Sequence, residues 1–141
     1  MNVEGLHHVA IRVQDQVRAR RFYEEVLGFD LMEIPVPSDV VKEWKGSPQG
    51  GVLVALQAGS TFVILEPPLA GTAEDDRFSE HRIGVDHLAF AVSDRASLEE
   101  LVGRLAEANV ETAGIEVDPV LGKEYVAFRD PDNVQWEFYM S

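Results

Sequence analysis

Two stretches of the chain share one alternating pattern of apolar and polar residues. The sequence LHHVAIRVQD at 6–15 aligns without a gap with VDHLAFAVSD at 85–94. Both stretches alternate in the manner of a half-buried strand. Apolar residues at the spacing of one helix face follow each stretch: Ala19, Phe22, Tyr23, Val26 and Leu27 after the first, and Leu98, Leu101, Val102 and Leu105 after the second. The pattern predicts a strand and then a helix, twice.

The ends of both predicted helices carry recognisable signals. Asp15 is an N-cap candidate, and Gly28 can end the first helix in a left-handed conformation. Ser97 and Glu100 have the spacing of a capping box, and Asn109 can end the second helix. Three strand-like runs then follow each helix, at 29–34, 51–57 and 61–66 in the first half and at 110–117, 124–129 and 134–140 in the second.

Each half is therefore predicted to be one β-α-β-β-β module, over 5–66 and 85–140. The stretch 67–84 is rich in proline, glycine and charge and is predicted to be a linker. With 141 residues, the chain suits a single domain of the α+β class. The free faces of the two modules are expected to form a curved mixed sheet around a cavity.

Strand alternation indicates which histidines can reach such a cavity. His7 and His8 are adjacent, so their side chains point to opposite faces of a strand. The larger apolar residues belong under the helix, which leaves His8 on the concave face beside a small alanine. His87 is the repeat equivalent of His8 and is expected on the same face of its own module. His7 is expected at a strand edge or in solvent.

Glu137, in the last strand, is a candidate third ligand. It stands between Trp136 and Phe138 in an apolar run, where an unpaired buried carboxylate costs free energy. A lone glutamate in a strand is more often an exposed residue. Together with two repeat-related histidines, however, it favours a 2-His-1-carboxylate centre. Such a centre binds a divalent ion of Fe, Mn, Co, Ni or Zn and leaves positions open for a substrate.

The composition narrows the classes of partner. There are 25 acidic and 12 basic residues, and the net charge of −13 disfavours nucleic acid as a ligand. The same charge suits a cationic or neutral partner, or is a solvated surface that keeps the protein in solution. The sequence has no cysteine, no export signal and no apolar run of about 18 residues, so we expect a cytoplasmic protein outside the membrane.

The tandem modules, with LHHVAIRVQD, GVDHLAFAVSD and the closing YVAFRDPDNVQWEFY, resemble the vicinal oxygen chelate superfamily. This superfamily contains glyoxalase I, extradiol dioxygenases, methylmalonyl-CoA epimerase and bleomycin-resistance proteins. The resemblance covers nearly the whole chain and implies the glyoxalase/dioxygenase-like fold and a homodimer. It also implies that His8, His87 and Glu137 are metal ligands, and that a small substrate binds the metal through neighbouring oxygens. The implied reaction is ring-cleaving dioxygenation or lyase/isomerase chemistry.

One departure from the family pattern argues against glyoxalase I activity proper. Glyoxalase I has a second glutamate in the last strand of its first module, and the corresponding position here is predicted to be Val63, which is then a candidate substrate contact. Glu66 comes three residues later, on the opposite parity. It is a candidate catalytic group if a bulge shifts the register of the strand.

Four further residues are weaker candidates for the site. For three of them the sequence leaves two interpretations open. Tyr139 shares the parity of Glu137 and is either an acid–base group or a packed aromatic residue, and Tyr125 is a second candidate at the cavity. Arg12 either meets an anionic substrate or pairs with a carboxylate. Trp44, in the long segment 35–51, either covers the cavity or anchors that segment to the core.

A second function class remains open on the sequence alone. The chain can also be a metal-free protein of the bleomycin-resistance kind, which sequesters a cationic small molecule, and the acidic composition suits that function. The enzyme hypothesis is favoured because a sequestering groove does not require two histidines and a glutamate aimed at one point.

Overall fold

The computed structural model describes residues 1–46 and 51–141, which form two compact units, Met1–Asp76 and Arg77–Ser141. Each unit contains one four-stranded mixed sheet and one principal helix, which confirms the predicted α+β class and the tandem modules. The boundary between the units falls inside the segment that was predicted to be a linker. No helix in the described ranges is long and apolar enough to cross a bilayer.

In residues 1–46 and 51–76 the first unit contains four strands and two helices. They are β1 (His8–Arg12), α1 (Gln16–Arg21, followed by a π-helical turn at Phe22–Val26), β2 (Asp30–Val36), α2 (Ser38–Val41), β3 (Gly51–Ala58) and β4 (Thr61–Glu66). The strand order is β1-β4-β3-β2. The β1–β4 pair is parallel and the other pairs are antiparallel, so β1 lies beside the last strand of its own module.

The first helix begins and ends as its sequence predicts. The Asp15 carboxylate accepts hydrogen bonds from the backbone N–H groups of Val17 and Arg18, which otherwise lack partners in the first turn. Gly28 has φ +76°, the left-handed conformation that ends the helix. In between, the N–H of Leu27 donates to the carbonyl of Phe22, so the last turn is wider than an α-helical turn.

The second unit repeats this order of elements without a counterpart of α2. They are β5 (Leu88–Val92), α3 (Arg95–Glu107), β6 (Glu116–Val117), β7 (Glu124–Arg129) and β8 (Gln135–Met140). The strand order is β5-β8-β7-β6, and the β5–β8 pair is again parallel. Asp94 caps α3 by accepting from the backbone N–H of Ser97, and Asn109 follows the helix with φ +56°.

The strand predicted over 110–117 is wrong for most of its length, because β6 contains two residues. The Thr112 hydroxyl donates to the carbonyl of Ala127 at 2.8 Å and accepts from the N–H of Gly114 at 3.1 Å. A side chain therefore occupies an edge position of β7 that a strand would otherwise fill. Gly114 has φ +82°, which a regular strand does not allow.

Each helix covers one face of its own sheet. In the second unit α3 contacts β5 and β7, and it buries Leu98, Leu101 and Leu105 almost completely. In the first unit α1 contacts β4, where Val63 and Leu65 are fully buried. Each such side chain contributes about 1.5–3 kcal/mol through its burial. The opposite face of each sheet carries the candidate functional residues.

The segment 67–84 is held by hydrogen bonds on both sides of the boundary between the units. Its first part is fixed to the first unit, where the N–H of Lys45 donates to Pro68 and the Gln14 side chain donates to the carbonyls of Ala73 and Asp76. In its second part the N–H of Phe78 donates to the carbonyl of Asp132 in the second unit. We call these two parts, 67–76 and 77–84, the arms of the units.

Candidate metal centre

His87 and Glu137 lie together on the open face of the second unit. The register of β5 and β8 places Ala89 opposite Glu137, so His87, which directly precedes β5, has the same face parity. His87 Nε2 lies 3.6 Å from Glu137 Oε2. Two donors bound at about 2.1 Å to one ion with tetrahedral geometry lie about 3.4 Å apart, so the observed separation suits two ligands of one metal.

Asp86 fixes the orientation of the His87 ring. Its Oδ1 lies 2.6 Å from His87 Nδ1, which therefore donates to the carboxylate. The lone pair of the neutral ring is then on Nε2, the atom that faces Glu137. This is the outer-shell arrangement found around metal-binding histidines, in which a carboxylate fixes the tautomer and raises the basicity of the ligand.

The Glu137 carboxylate is largely removed from solvent. Its side chain is 12% exposed, against 41% for that of His87. The neighbours Trp136 and Phe138 have the opposite parity, and the Trp136 ring stacks on Phe90 at 4.7 Å in the core. A buried carboxylate needs a cation or strong hydrogen-bond donors, so the donor set of His87 and Glu137 fits a divalent ion.

His8 belongs to the first unit and lies on the more exposed face of β1. Exposure alternates along the strand, with His8, Ala10 and Arg12 exposed and Val9 and Ile11 less so, as the parity argument predicts. Among residues 1–46 and 51–141, no group of three or more acidic, histidine or cysteine side chains is assembled as a metal site. That His8 joins His87 and Glu137 stays a prediction.

The predicted positions of Val63 and Glu66 are wrong. The register of β1 and β4 places Val9 opposite Val63, which is fully buried on the helix-covered face and does not line the open face. Since Ala10 lies opposite Ile64, the equivalent of Glu137 in the first unit is Ile64. Glu66 shares the face of His8 without any bulge.

Glu66 and Arg12 form an ion pair. Arg12 Nη2 lies 2.8 Å from Glu66 Oε2, and Arg12 Nη1 donates to the carbonyl of Pro67 at 2.9 Å. Of the two interpretations of Arg12, pairing with a carboxylate is the one the structure displays. The Glu66 side chain is 27% exposed and is held by this arginine.

The two tyrosines lie on the same face as Glu137. The register of β7 and β8 pairs Tyr125 with Tyr139 and Ala127 with Glu137, and the two phenol rings stack at 6.0 Å. The Tyr139 hydroxyl donates to Asp118 Oδ2 at 2.7 Å. Burial and this hydrogen bond raise the pKa of Tyr139 to about 12, and burial also raises the pKa of Tyr125. Both phenols are therefore protonated at neutral pH.

The comparisons with known proteins are in agreement with these features. A model of the Glyoxalase/Bleomycin resistance protein/Dioxygenase superfamily matches residues 5–138. This chain belongs to that superfamily. The resemblance drawn from the repeated motifs and from the closing strand is thereby confirmed.

Several known proteins match the chain over nearly its whole length. The uncharacterized protein YwkD of Bacillus subtilis is 31% identical over 144 residues, which cover 99% of this chain and 98% of the relative. A glyoxylase/bleomycin resistance protein/dioxygenase domain from Frankia has a TM-score of 0.75 and 28% identity, with 99% of each chain covered. A lactoylglutathione lyase from Agrobacterium tumefaciens shares the fold at 20% identity, with a TM-score of 0.67 and coverage of 100% and 96%.

Trp44 anchors the chain around it to the rest of the first unit. It pairs with Leu69 of the first arm, and its ring covers Gly51, where a Cβ atom would lie 3.1 Å from Trp44 Cζ3. Of the two interpretations of Trp44, the anchor is the one these contacts support. Residues 47–50 of the predicted covering segment lie outside the described residues.

Two acidic residues near the candidate centre were not singled out from the sequence. Asp86 aligns with His7 in the internal repeat and directly precedes His87, but strand alternation assigns these neighbours to opposite faces and so indicates no contact between them. Asp118 stands in the turn DPVLGK and accepts from the N–H groups of Val120 and Leu121 as well as from Tyr139. These hydrogen bonds, with Tyr139 first, lower the pKa of Asp118. The Asp-Pro pair signals the turn, but the contact with Tyr139 depends on the fold.

Proposed function

We propose that this protein is a metal-dependent enzyme of the superfamily, acting on a small oxygenated substrate by dioxygenase or lyase/isomerase chemistry. In this proposal His8, His87 and Glu137 hold a divalent ion of Fe, Mn, Ni, Co or Zn. The observation that carries it is the line of contacts from Asp86 to His87 and on to Glu137, in which a carboxylate orients a histidine toward a second, largely buried carboxylate.

A divalent ion at this place supplies a Lewis acid for two neighbouring oxygens of the substrate. The protein's own side chains bind and orient the substrate. Ala89, Ala91 and Ala127 are small residues on the face of Glu137 and leave space above the sheet. The Tyr139 hydroxyl donates its hydrogen bond to Asp118, so its oxygen can accept a hydrogen bond from a substrate hydroxyl.

The first unit supports the exclusion of glyoxalase I chemistry proper. Ile64 occupies the position that is equivalent to Glu137, and it offers neither a ligand atom nor a base. Glu66, the other carboxylate on this strand, is paired with Arg12. Isomerisation needs a positioned base for the carbon acid, whereas dioxygenation does not, so we favour the dioxygenase class.

Metal analysis of protein purified without an affinity tag tests the proposal directly. We expect bound metal, or thermal stabilisation by Fe(II), Mn(II), Ni(II) or Zn(II). His8→Ala, His87→Ala and Glu137→Gln should each abolish it, while His81→Ala, at an exposed histidine in the second arm, should leave it unchanged. Wild-type protein without affinity for any of these ions would refute the enzyme hypothesis.

A second candidate function has its own structural support. The rings of Tyr125 and Tyr139 stack, and three carboxylates lie near enough to Tyr125 to affect its pKa. Burial and the negative charges of Glu116, Glu137 and Asp118 raise that pKa. Aromatic faces among carboxylates suit an organic cation, the ligand of a metal-free bleomycin-resistance-like protein. Calorimetric titration with metal-free bleomycin separates the two candidates, because the binding function predicts affinity without added metal.

The homodimer that the resemblance implies belongs to the same proposal. Identical chains can exchange modules, in which case His8 of one chain would serve a site in another. Mixing His8→Ala protein with Glu137→Gln protein tests this arrangement. Partial recovery of metal binding in the mixture would support a shared site, and no recovery would support a site within one chain.

A further inference from the structure

Each candidate ligand histidine has a polar side chain directly before it in sequence and in contact with its Nδ1. In the second unit Asp86 Oδ1 lies 2.6 Å from His87 Nδ1. In the first unit His7 Nδ1 lies 2.9 Å from His8 Nδ1. Since His7 and Asp86 are equivalent in the internal repeat, the two units place different chemical groups at one position.

The contact between two Nδ1 atoms constrains the protons of both rings. At 2.9 Å one nitrogen must donate and the other must accept, so one proton lies between them. If His8 donates, its Nε2 keeps a free lone pair. If His7 donates, the neutral His8 ring carries its proton on Nε2, and that atom is not a metal ligand.

His7 is held in place for such a role. Its backbone carbonyl accepts from the N–H of Phe62 at 3.0 Å, and its ring lies 5.7 Å from the Phe62 ring. The rings of His7 and His8 meet edge to face, with centroids 5.2 Å apart and planes at 88°. The position of the His7 ring is thus set by strand β4 and not by solvent alone.

We propose that His7 is a positioning residue that accepts the Nδ1 proton of His8 and so presents Nε2 of His8 as a metal ligand, as Asp86 does for His87. The inference rests on the proposed function, because it assigns His8 as a ligand. It also replaces the view of His7 as a bystander that follows from strand parity, since a residue on the other face can still touch the Nδ1 edge of its neighbour.

The two hydrogen-bond acceptors, Asp86 and His7, differ in strength. Asp86 is anionic, has no competing proton and raises the basicity of its histidine, while His7 accepts through a neutral ring nitrogen. His8 is therefore expected to be the weaker of the two histidine ligands. His7→Asp would give the first unit the aspartate–histidine pair of the second.

Calorimetric titration with Ni²⁺, at a pH well above the ordinary histidine pKa, provides the first test. We expect His7→Ala and Asp86→Ala each to weaken Ni²⁺ binding about 10- to 100-fold, the range for lost outer-shell partners. His7→Asp should bind at least as tightly as wild type, and His81→Ala should be unchanged. A His7→Ala protein with wild-type affinity, beside a weakened Asp86→Ala protein, would overturn the inference and leave the proposed function intact.

Nitrogen-15 NMR of the metal-free protein provides a second readout, which does not depend on metal binding. Wild-type His8 is expected as the tautomer with its proton on Nδ1, and His7→Ala should shift it toward the Nε2-protonated form that is usual for free imidazole. An Nε2-protonated His8 in the wild type would contradict the inference. If the wild type binds no Ni²⁺ but shows the expected tautomer, the proposed function fails while the His7 contact stands.

Discussion

In the second unit a glutamate lies opposite Ala89 on the neighbouring strand, whereas in the first unit an isoleucine lies opposite the equivalent Ala10. The next residues on these faces differ as well, since Tyr139 lies opposite Ala91 while Glu66 lies opposite Arg12. One backbone plan thus carries two kinds of surface. The equivalent strands of the two units direct equivalent side chains to the same face of the sheet. The residue type at each position decides whether that side chain can bind a metal or take part in a reaction.

The difference extends across both sheets. In the first unit the row that begins at Ala10 continues through Ile64 and Ala55 to Met32, so it is apolar from one edge to the other. In the second unit the equivalent row begins at Ala89 and continues through Glu137 to Ala127, and the next row runs from Ala91 through Tyr139 and Tyr125 to Glu116. On its open face the second unit therefore presents a glutamate and two tyrosines. The corresponding face of the first unit presents His8 and the Arg12–Glu66 ion pair beside an apolar row.

The largest expected effect is on the free energy of unfolding and tests the register of β1 and β4. In that register Ile64, and not Val63, is equivalent to Glu137. Val63→Glu places a carboxylate on the fully buried face beside Val9 and should lower the free energy of unfolding by about 4 kcal/mol or more. Ile64→Glu, one residue later, places the same group on the partly exposed face and should cost much less. Urea denaturation of both variants measures the difference, and equal losses would contradict the register.

Both units have an aspartate N-cap at the start of the principal helix. Removing either cap should therefore lower the free energy of unfolding by a similar amount. Asp15→Ala and Asp94→Ala each leave first-turn N–H groups without their acceptor, and each should cost about 1 kcal/mol of unfolding free energy. The midpoint of urea unfolding is the measurement. Asp39→Ala, in the short helix α2 whose cap has no side-chain hydrogen bond, serves as the control and should change little.

A smaller effect on stability is expected to distinguish Tyr139 from Glu66, which occupy equivalent positions in the two units. Tyr139→Phe removes the hydrogen bond to Asp118 and should cost about 1 kcal/mol. Glu66→Gln breaks a partly exposed ion pair with Arg12 and should cost less, a few tenths of a kcal/mol. Thermal unfolding of both variants checks the order, and a larger loss for Glu66→Gln would reverse the comparison.

The smallest expected effect is on the pH dependence of stability. It concerns Glu80, which lies in the arm of the second unit. The hydrogen bond from Arg129 lowers the pKa of Glu80 from 4.5 to about 2. Because the folded-state pKa is depressed, the stabilisation is fully present above pH 4.5 and is lost as the pH falls toward about 2. Glu80→Gln should flatten this part of the stability curve in acid titrations followed by circular dichroism. An unchanged curve would show that Glu80 does not contribute.

Features governed by local chemistry could be predicted from the sequence. The cap at Asp15 and the glycine at 28 have the same effect in any helix, so both ends of the first helix were predicted correctly. The capping box predicted at Ser97 and Glu100 is wrong, because the second helix is capped by Asp94 and Ser97 lies inside its first turn. The face of His8 also followed from alternation, because large and small apolar residues alternate on that strand. The face of Glu66 did not, because TFVILE is apolar throughout and lacks a period that distinguishes its two sides.

Features that depend on distant partners could not be predicted in this way. The Thr112 hydroxyl replaces a strand hydrogen bond on β7, and nothing near Thr112 in the sequence indicates Ala127 as its acceptor. The contact of Asp118 with Tyr139 joins two elements far apart in the chain. The contacts of His7 and Asp86 with the histidines that follow them are local, yet strand parity assigns adjacent residues to opposite faces and so conceals them.

The division of segment 67–84 into two arms has a consequence for how the protein can be taken apart. The hydrogen bonds named above tie residues 67–76 to the first unit and residues 77–84 to the second. A break between Asp76 and Arg77 severs none of these bonds, and each fragment keeps a complete β-α-β-β-β module with its own arm. We therefore expect that the two halves, expressed as separate polypeptides, each fold around their own sheet and helix.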